Sequence, residues 1–270
     1  MSHSLLKKIL LLIFLCLIPV FFSSPHIISK TAAMADSEFQ PNIIVLNYHK
    51  IDNKNISLSV LPQDFDKQMA YLKNNDYHVI TPDDLYENLE HNKELPANPV
   101  LITFDDGYKD NYVNAYPILK KYGFSATIFV ITSFLDKYPN YLTWDQCKEL
   151  KKHGFYIESH TVTHRSLTSL SNKQIESEIV NSKKALDERL QQDTHYFAYP
   201  TGTYNLYIAK MIKNAGYRAA FSIKYGNVTN DSNIFALERI PIFHTANTFK
   251  SFYRRLNYVP LFEKIGWMKN

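Results

Sequence analysis

Two cysteines are all that this 270-residue sequence holds, and Cys16 lies in an apolar run near its start, so Cys147 stands alone in the remainder. A lone thiol cannot close an internal disulfide, which excludes a stapled scaffold and leaves stability to a packed core. Glycine is scarce at 7 residues, and no low-complexity tract or internal period is visible, which argues against fibrous, solenoid and propeller architectures. An excess of charge is missing as well. Residues 1–35 hold three lysines and no acid, which leaves 27 basic against 26 acidic residues in the rest. A surface so balanced offers nothing to nucleic acid.

What is present begins with a leader pattern. Lys7 and Lys8 precede an apolar run from Ile9 to Phe22, broken only by Pro19, and Ala33-Met34-Ala35 places small residues where a signal peptidase reads. The run is shorter than the roughly 20 residues that a spanning helix prefers. Residues 1–35 are therefore read as a signal peptide or an N-terminal membrane anchor, and residues 36–270 as one domain. The protein is expected to be secreted or cell-surface associated, touching the membrane only through that segment.

From Ile43 onward short apolar runs alternate with amphipathic stretches. Strands are expected at 43–48, 100–104, 125–131, 156–159, 196–199, 219–223 and 235–240. Helices are expected at 62–76, from Pro82 to about His91, up to Gly123, from Thr143 to near Gly154, from Ser171 to about Gln191, at 205–215 and at 248–256. Thr143 with Gln146, and Ser171 with Gln174, have the spacing of capping boxes. Strand and helix taking turns this often imply a parallel α/β sheet, open or closed into a barrel.

In such folds active sites form at the carboxyl ends of the strands. His49 follows the first strand; Asp105, Asp106 and Gly107 follow the 100–104 strand; His160 and His164 follow the 156–159 strand; Pro200, Thr201 and Gly202 follow the 196–199 strand. Each is unremarkable alone, since Asp-Asp-Gly is ordinary turn chemistry and paired histidines are common loop residues. Their convergence on one rim is the signal. One carboxylate with two imidazoles supplies three ligands to a divalent ion and leaves a position open for water, the catalytic rather than the structural pattern. The second carboxylate is then a general base, and a further histidine an acid for a leaving amine.

The segments Thr103-Phe104-Asp105-Asp106-Gly107, Ser159-His160-Thr161-Val162-Thr163-His164 and Tyr199-Pro200-Thr201-Gly202 resemble the NodB-homology polysaccharide deacetylases, carbohydrate esterase family 4. The resemblance implies an irregular (β/α) barrel of about seven strands. It implies Asp105 as base, Asp106, His160 and His164 as ligands of a divalent metal (usually zinc), and the Thr201 N–H facing an oxyanion. Pro200, Tyr199 and Arg239 are grouped with Thr201 on the oxyanion and substrate side. Family members carry an arginine two residues before the third-motif proline, where this chain has Ala198, and Arg239 is a stand-in for it as readily as a structural arginine. His244 is a poor match to the family's late histidine. His49, in Leu46-Asn47-Tyr48-His49, looks instead like the early acid histidine of the biofilm poly-β-1,6-N-acetylglucosamine deacetylases. The expected partner is thus an N-acetylated cell-surface polysaccharide, with peptidoglycan, chitooligosaccharides, a non-catalytic sugar-binding role and another barrel metallohydrolase as rivals. Tyr48, Tyr108 and Tyr199 are the aromatic residues placed to stack on sugar rings.

Overall fold

The computed structural model describes the backbone of residues 42–264 and the side chains of residues 42–258, so the leader read over residues 1–35 lies outside the described residues. Among the described residues ten strands and seven helices follow one another, largely in alternation after the third strand. Strands β1 (Ile44–Tyr48), β5 (Pro99–Phe104), β6 (Thr127–Val130), β7 (Tyr156–Ser159), β8 (Tyr196–Ala198), β9 (Ala219–Tyr225) and β10 (Leu237–Pro241) form the staves of a barrel. All their pairings are parallel, and β1 closes the ring by pairing with both β10 and β5. The closed form of the two sheet arrangements is the one adopted: a seven-stranded (β/α) barrel. Three two-residue strands escape a reading by periodicity, namely β2 (Lys50–Ile51), β3 (Ser59–Val60) and β4 (His78–Val79), the last lying against the start of β5.

The helices are α1 (Pro62–Asn74), α2 (Pro82–His91), α3 (Tyr116–Tyr122), α4 (Trp144–Lys152), α5 (Asn172–Leu190), α6 (Leu206–Asn214) and α7 (Thr248–Lys264). Local chemistry sets their ends. Thr81 caps α2 and Thr143 caps α4 in full capping boxes with Asp84 and Gln146. Asn205 caps α6 by accepting from the Ile208 N–H, and Gly123 closes α3 at φ 72°. None of the described helices is long and apolar enough to cross a membrane.

Strand periodicity sorts the side chains into two layers. Ile44, Leu46, Tyr48, Val100, Ile102, Phe104, Ile128 and Val130 face outward into the core beneath the helices. Val45, Leu101, Phe129, Tyr196, Ala198, Phe221 and Leu237 fill the barrel interior, joined by Ile80 and Leu85. Two residues further along the same inward faces come Asn47, Thr103 and Arg239, and then the strands end at His49, Asp105 and His160. The interior thus changes from apolar to polar toward the carboxyl rim.

Candidate active site

Asp105 immediately follows β5 on its inward phase, and its N–H donates to the Tyr48 carbonyl of β1 at 2.9 Å. Both its oxygens accept from Arg239, Oδ1 from Nη1 at 2.8 Å and Oδ2 from Nη2 at 2.7 Å, with both side chains buried. Arg239 is itself fixed by donating Nε–H to the Ser222 carbonyl at 2.9 Å. Burial alone would raise the Asp105 pKa, but the guanidinium overrides it and holds the carboxyl well below the usual range. The arginine absent at Ala198 is therefore replaced from β10, across the barrel interior. With both terminal nitrogens committed to Asp105, Arg239 holds that carboxylate and is not on the oxyanion and substrate side with which the sequence reading grouped it.

Asp106 leaves the strand in the left-handed region at φ 73°, which turns its carboxylate toward the histidines instead of the outer layer. Gly107 follows at φ 73°, and a Cβ there would lie 2.8 Å from Val130 Cγ1, so the turn packs tightly on β6. Asp106 Oδ1 lies 3.5 Å from His160 Nε2 and 3.2 Å from His164 Nε2. The His160 Nδ1 must donate to the Ala198 carbonyl at 2.8 Å, which leaves Nε2 directed at the Asp106 carboxylate. Asp106 Oδ1 is buried without a hydrogen-bond partner.

A carboxylate oxygen with two imidazole nitrogens gathered round it is a donor set for a divalent cation, and the spacing fits one. Bonds of 2.0–2.1 Å to a tetrahedral zinc place neighbouring ligand atoms about 3.3 Å apart. The three donor atoms all lie within 4.8 Å of one another. The His160–His164 loop is held by Glu178 of α5, which accepts from the N–H groups of Val162 at 2.9 Å and Thr163 at 2.8 Å and from the Thr163 hydroxyl. Thr161 and His164 take positive φ within it.

His49 lies close enough to feel both carboxylates, and burial is the main cause lowering its pKa. Its carbonyl accepts from Asn111 Nδ2 at 2.8 Å, and its ring Nδ1 is buried without a partner among the described residues. Lys50, next in sequence, pairs with Asp110 at 2.9 Å, whose Oδ1 accepts from the Ile51 N–H at 2.8 Å. This network binds the β1 end to the Asp105 loop, and sequence reasoning missed it because Asp110 and Asn111 follow no strand end. Pro200 is buried, whereas Thr201 is exposed on the rim at φ 58°.

Two aromatic expectations are overturned. Tyr48 is 0% exposed, stacked on Phe104 and donating its hydroxyl to Gln68 Oε1 at 2.9 Å. Tyr199 is 1% exposed and donates to the Phe235 carbonyl at 2.8 Å, so it serves the outer core and not a substrate. Both rings fall on the outward phase of their strands. Tyr108 stays part-exposed, stacked on Tyr141 with ring centroids 4.9 Å apart.

The family described as polysaccharide deacetylase matches residues 92–220. The Bacillus subtilis (strain 168) protein YxkH, named as a candidate polysaccharide deacetylase, is 39% identical over 212 residues, covering 78% of this chain and 75% of its own. The poly-β-1,6-N-acetyl-D-glucosamine N-deacetylase of Staphylococcus aureus (strain MSSA476) is 30% identical over 268 residues, covering 87% of this chain and 91% of its own. Among solved structures, the Streptococcus pyogenes deacetylase PplD in complex with acetate superposes with a TM-score of 0.73 at 33% identity, over 76% of this chain and 94% of that one. With its barrel, its motifs and these relatives taken together, the chain belongs to the polysaccharide deacetylase family.

Proposed function

We propose that this enzyme removes N-acetyl groups from N-acetylglucosamine residues of a polysaccharide outside the cytoplasmic membrane, with poly-β-1,6-N-acetyl-D-glucosamine as the polymer, releasing acetate. The observation that carries the reading is the pairing of two differently held carboxylates: Asp105 clasped by Arg239, and Asp106 turned toward two imidazoles. The early histidine and the Staphylococcus aureus relative support the choice of polymer.

A divalent ion held by Asp106, His160 and His164, zinc first among the options, would polarise the acetamide carbonyl and acidify a water. Asp105 accepts the proton of the attacking water. Arg239 occupies one lone pair on each of its oxygens and leaves the other free, and it fixes the carboxylate plane. The Thr201 N–H donates to the oxyanion as the carbonyl carbon becomes tetrahedral. His49 passes a proton to the nitrogen as the C–N bond breaks, giving acetate and a free amine.

Acetate release from defined N-acetylglucosamine oligomers of β-1,6 and β-1,4 linkage, with and without chelator, tests the proposal. The β-1,6 oligomers should react faster, chelator should abolish turnover, and Asp105→Asn should cost at least a hundredfold in kcat while glycan binding persists. Equal acetate from wild type and Asp105→Asn would remove the base assignment, and release only from β-1,4 oligomers would remove the polymer.

A further inference from the structure

We infer that a cavity flanking the catalytic rim is a second substrate subsite, built for a carboxylate or phosphate carried by the polymer near the acetamide being cleaved; the inference rests on the deacetylase reading. The cavity, about 530 Å³, is lined chiefly by Tyr225, Thr245, Asn247, Lys250, Arg254 and Arg255, with no acidic residue in its wall. It lies where the loop after β10 enters α7.

Strand register fixes its place. Tyr225 is the Cα partner of Arg239, the residue that clasps Asp105, so the cavity lies beside the carboxyl ends of β9 and β10. Pro241, paired with Asn47 two residues before His49, offers its carbonyl to Arg255 Nη1 at 3.1 Å. The cavity therefore opens on the His49 and Arg239 side of the rim, opposite the His160–His164 loop.

Its charge is uncompensated. Among the described residues Lys250, Arg254 and Arg255 meet no carboxylate within 4.0 Å, and what sets them apart is that all three share two turns of one helix and one concavity with no acid in its wall. Arg255 is not a loose surface group, because its guanidinium lies over the rings of Tyr225 at 5.6 Å and Phe243 at 6.0 Å. The Thr245 hydroxyl, also in the wall, is buried and lacks a hydrogen-bond partner among the described residues. Three like charges held together without a counter-ion repel one another, and an incoming oxyanion relieves that repulsion. The same charge would disfavour polymer already deacetylated, whose free amines are cationic.

The test compares acetate release from a neutral N-acetylglucosamine oligomer with that from the same oligomer bearing a carboxymethyl or a phosphate group on a neighbouring sugar. Wild type should favour the anionic oligomers about tenfold in kcat/KM, expressed in KM, the scale of a few part-exposed charge contacts. Preference for both anions, or for phosphate alone, supports the subsite and distinguishes the two chemistries. The preference should fade toward 1 M salt, where the screening length falls to about 3 Å. Lys250 and Arg254 are exposed, so Lys250→Ala/Arg254→Ala should fold normally and keep its neutral-oligomer kcat/KM while losing the preference. No preference in wild type, or an undiminished one in the double variant, overturns the inference. If no oligomer yields acetate, the deacetylase reading has failed separately, and the cavity is judged by titrating the full chain with inorganic phosphate. Binding that weakens about tenfold in the double variant then upholds the anion site, and absent or unaltered binding overturns it.

Discussion

At the scale of single residues, the clasp between Arg239 and Asp105 carries the largest consequence. Both side chains are buried, and each satisfies the other's charge. Arg239→Met strands a buried carboxylate, and breaking such a pair from one side costs about 3–5 kcal/mol. Arg239→Lys keeps the charge but offers a point donor in place of a planar fork, so it should fold better and still lose at least tenfold in kcat. The pH dependence has a definite sign. The clasp holds the Asp105 carboxyl below its ordinary value of about 3.9. Its contribution to stability is complete above that value and is lost as pH falls through the depressed folded value. Urea titrations of chelator-treated wild type and Arg239→Met should differ most at neutral pH and converge below about pH 4. A gap that is constant with pH would mean that the arginine stabilises by packing alone.

At the scale of elements, α5 orients the loop that presents the two imidazoles. Its buried face runs Ile175, Glu178, Ile179, Ser182, Leu186 and Leu190, and the carboxylate in that apolar stripe is answered by two backbone N–H groups and a hydroxyl of the loop. Glu178→Ala leaves those donors buried and unpaired, worth about 1–3 kcal/mol in stability. Displacing a group that fixes metal ligands typically weakens metal binding by roughly 10–100-fold. Zinc affinity by competition with a chromophoric chelator and the thermal midpoint should therefore fall together. Glu178→Gln retains a carbonyl acceptor and should recover most of both; zinc affinity unchanged in Glu178→Ala would detach this helix from the site. The sequence carried this signal, since a glutamate breaking the apolar face of an amphipathic helix needs partners. It carried the stacking correction too. Tyr48 and His49 are adjacent, and strand alternation cannot turn both inward at once. The Arg239 clasp was harder to read, because it depends on β10 and β5 both flanking β1, which only closure of the ring determines.

At the scale of the whole molecule, the alternation of elements foretold a parallel sheet, and the pairing of β1 with β5 decided its closure. What the sequence could not show is how completely the two layers exclude water, and Cys147 reports on that. It is 0% exposed on the buried face of α4, in the same cluster as Leu150, Phe155 and Leu186. Burial pushes the thiol well above its ordinary pKa, with a smaller push from Asp136. Only the thiolate is alkylated at an appreciable rate, so the native state protects this residue both by access and by ionisation. Modification must then wait for the outer layer to open. No disulfide joins Cys147 to another described residue, so that opening is limited by packing alone. With iodoacetamide at pH 8 in native buffer, peptide mass analysis should find Cys147 labelled orders of magnitude more slowly than a free cysteine. Its rate should rise with urea at the slope of global unfolding measured by circular dichroism, since the cluster spans α1, α3, α4 and α5 and cannot part locally. A shallower slope would identify α4 as a separately opening unit, and labelling at the free-cysteine rate would contradict the packing itself.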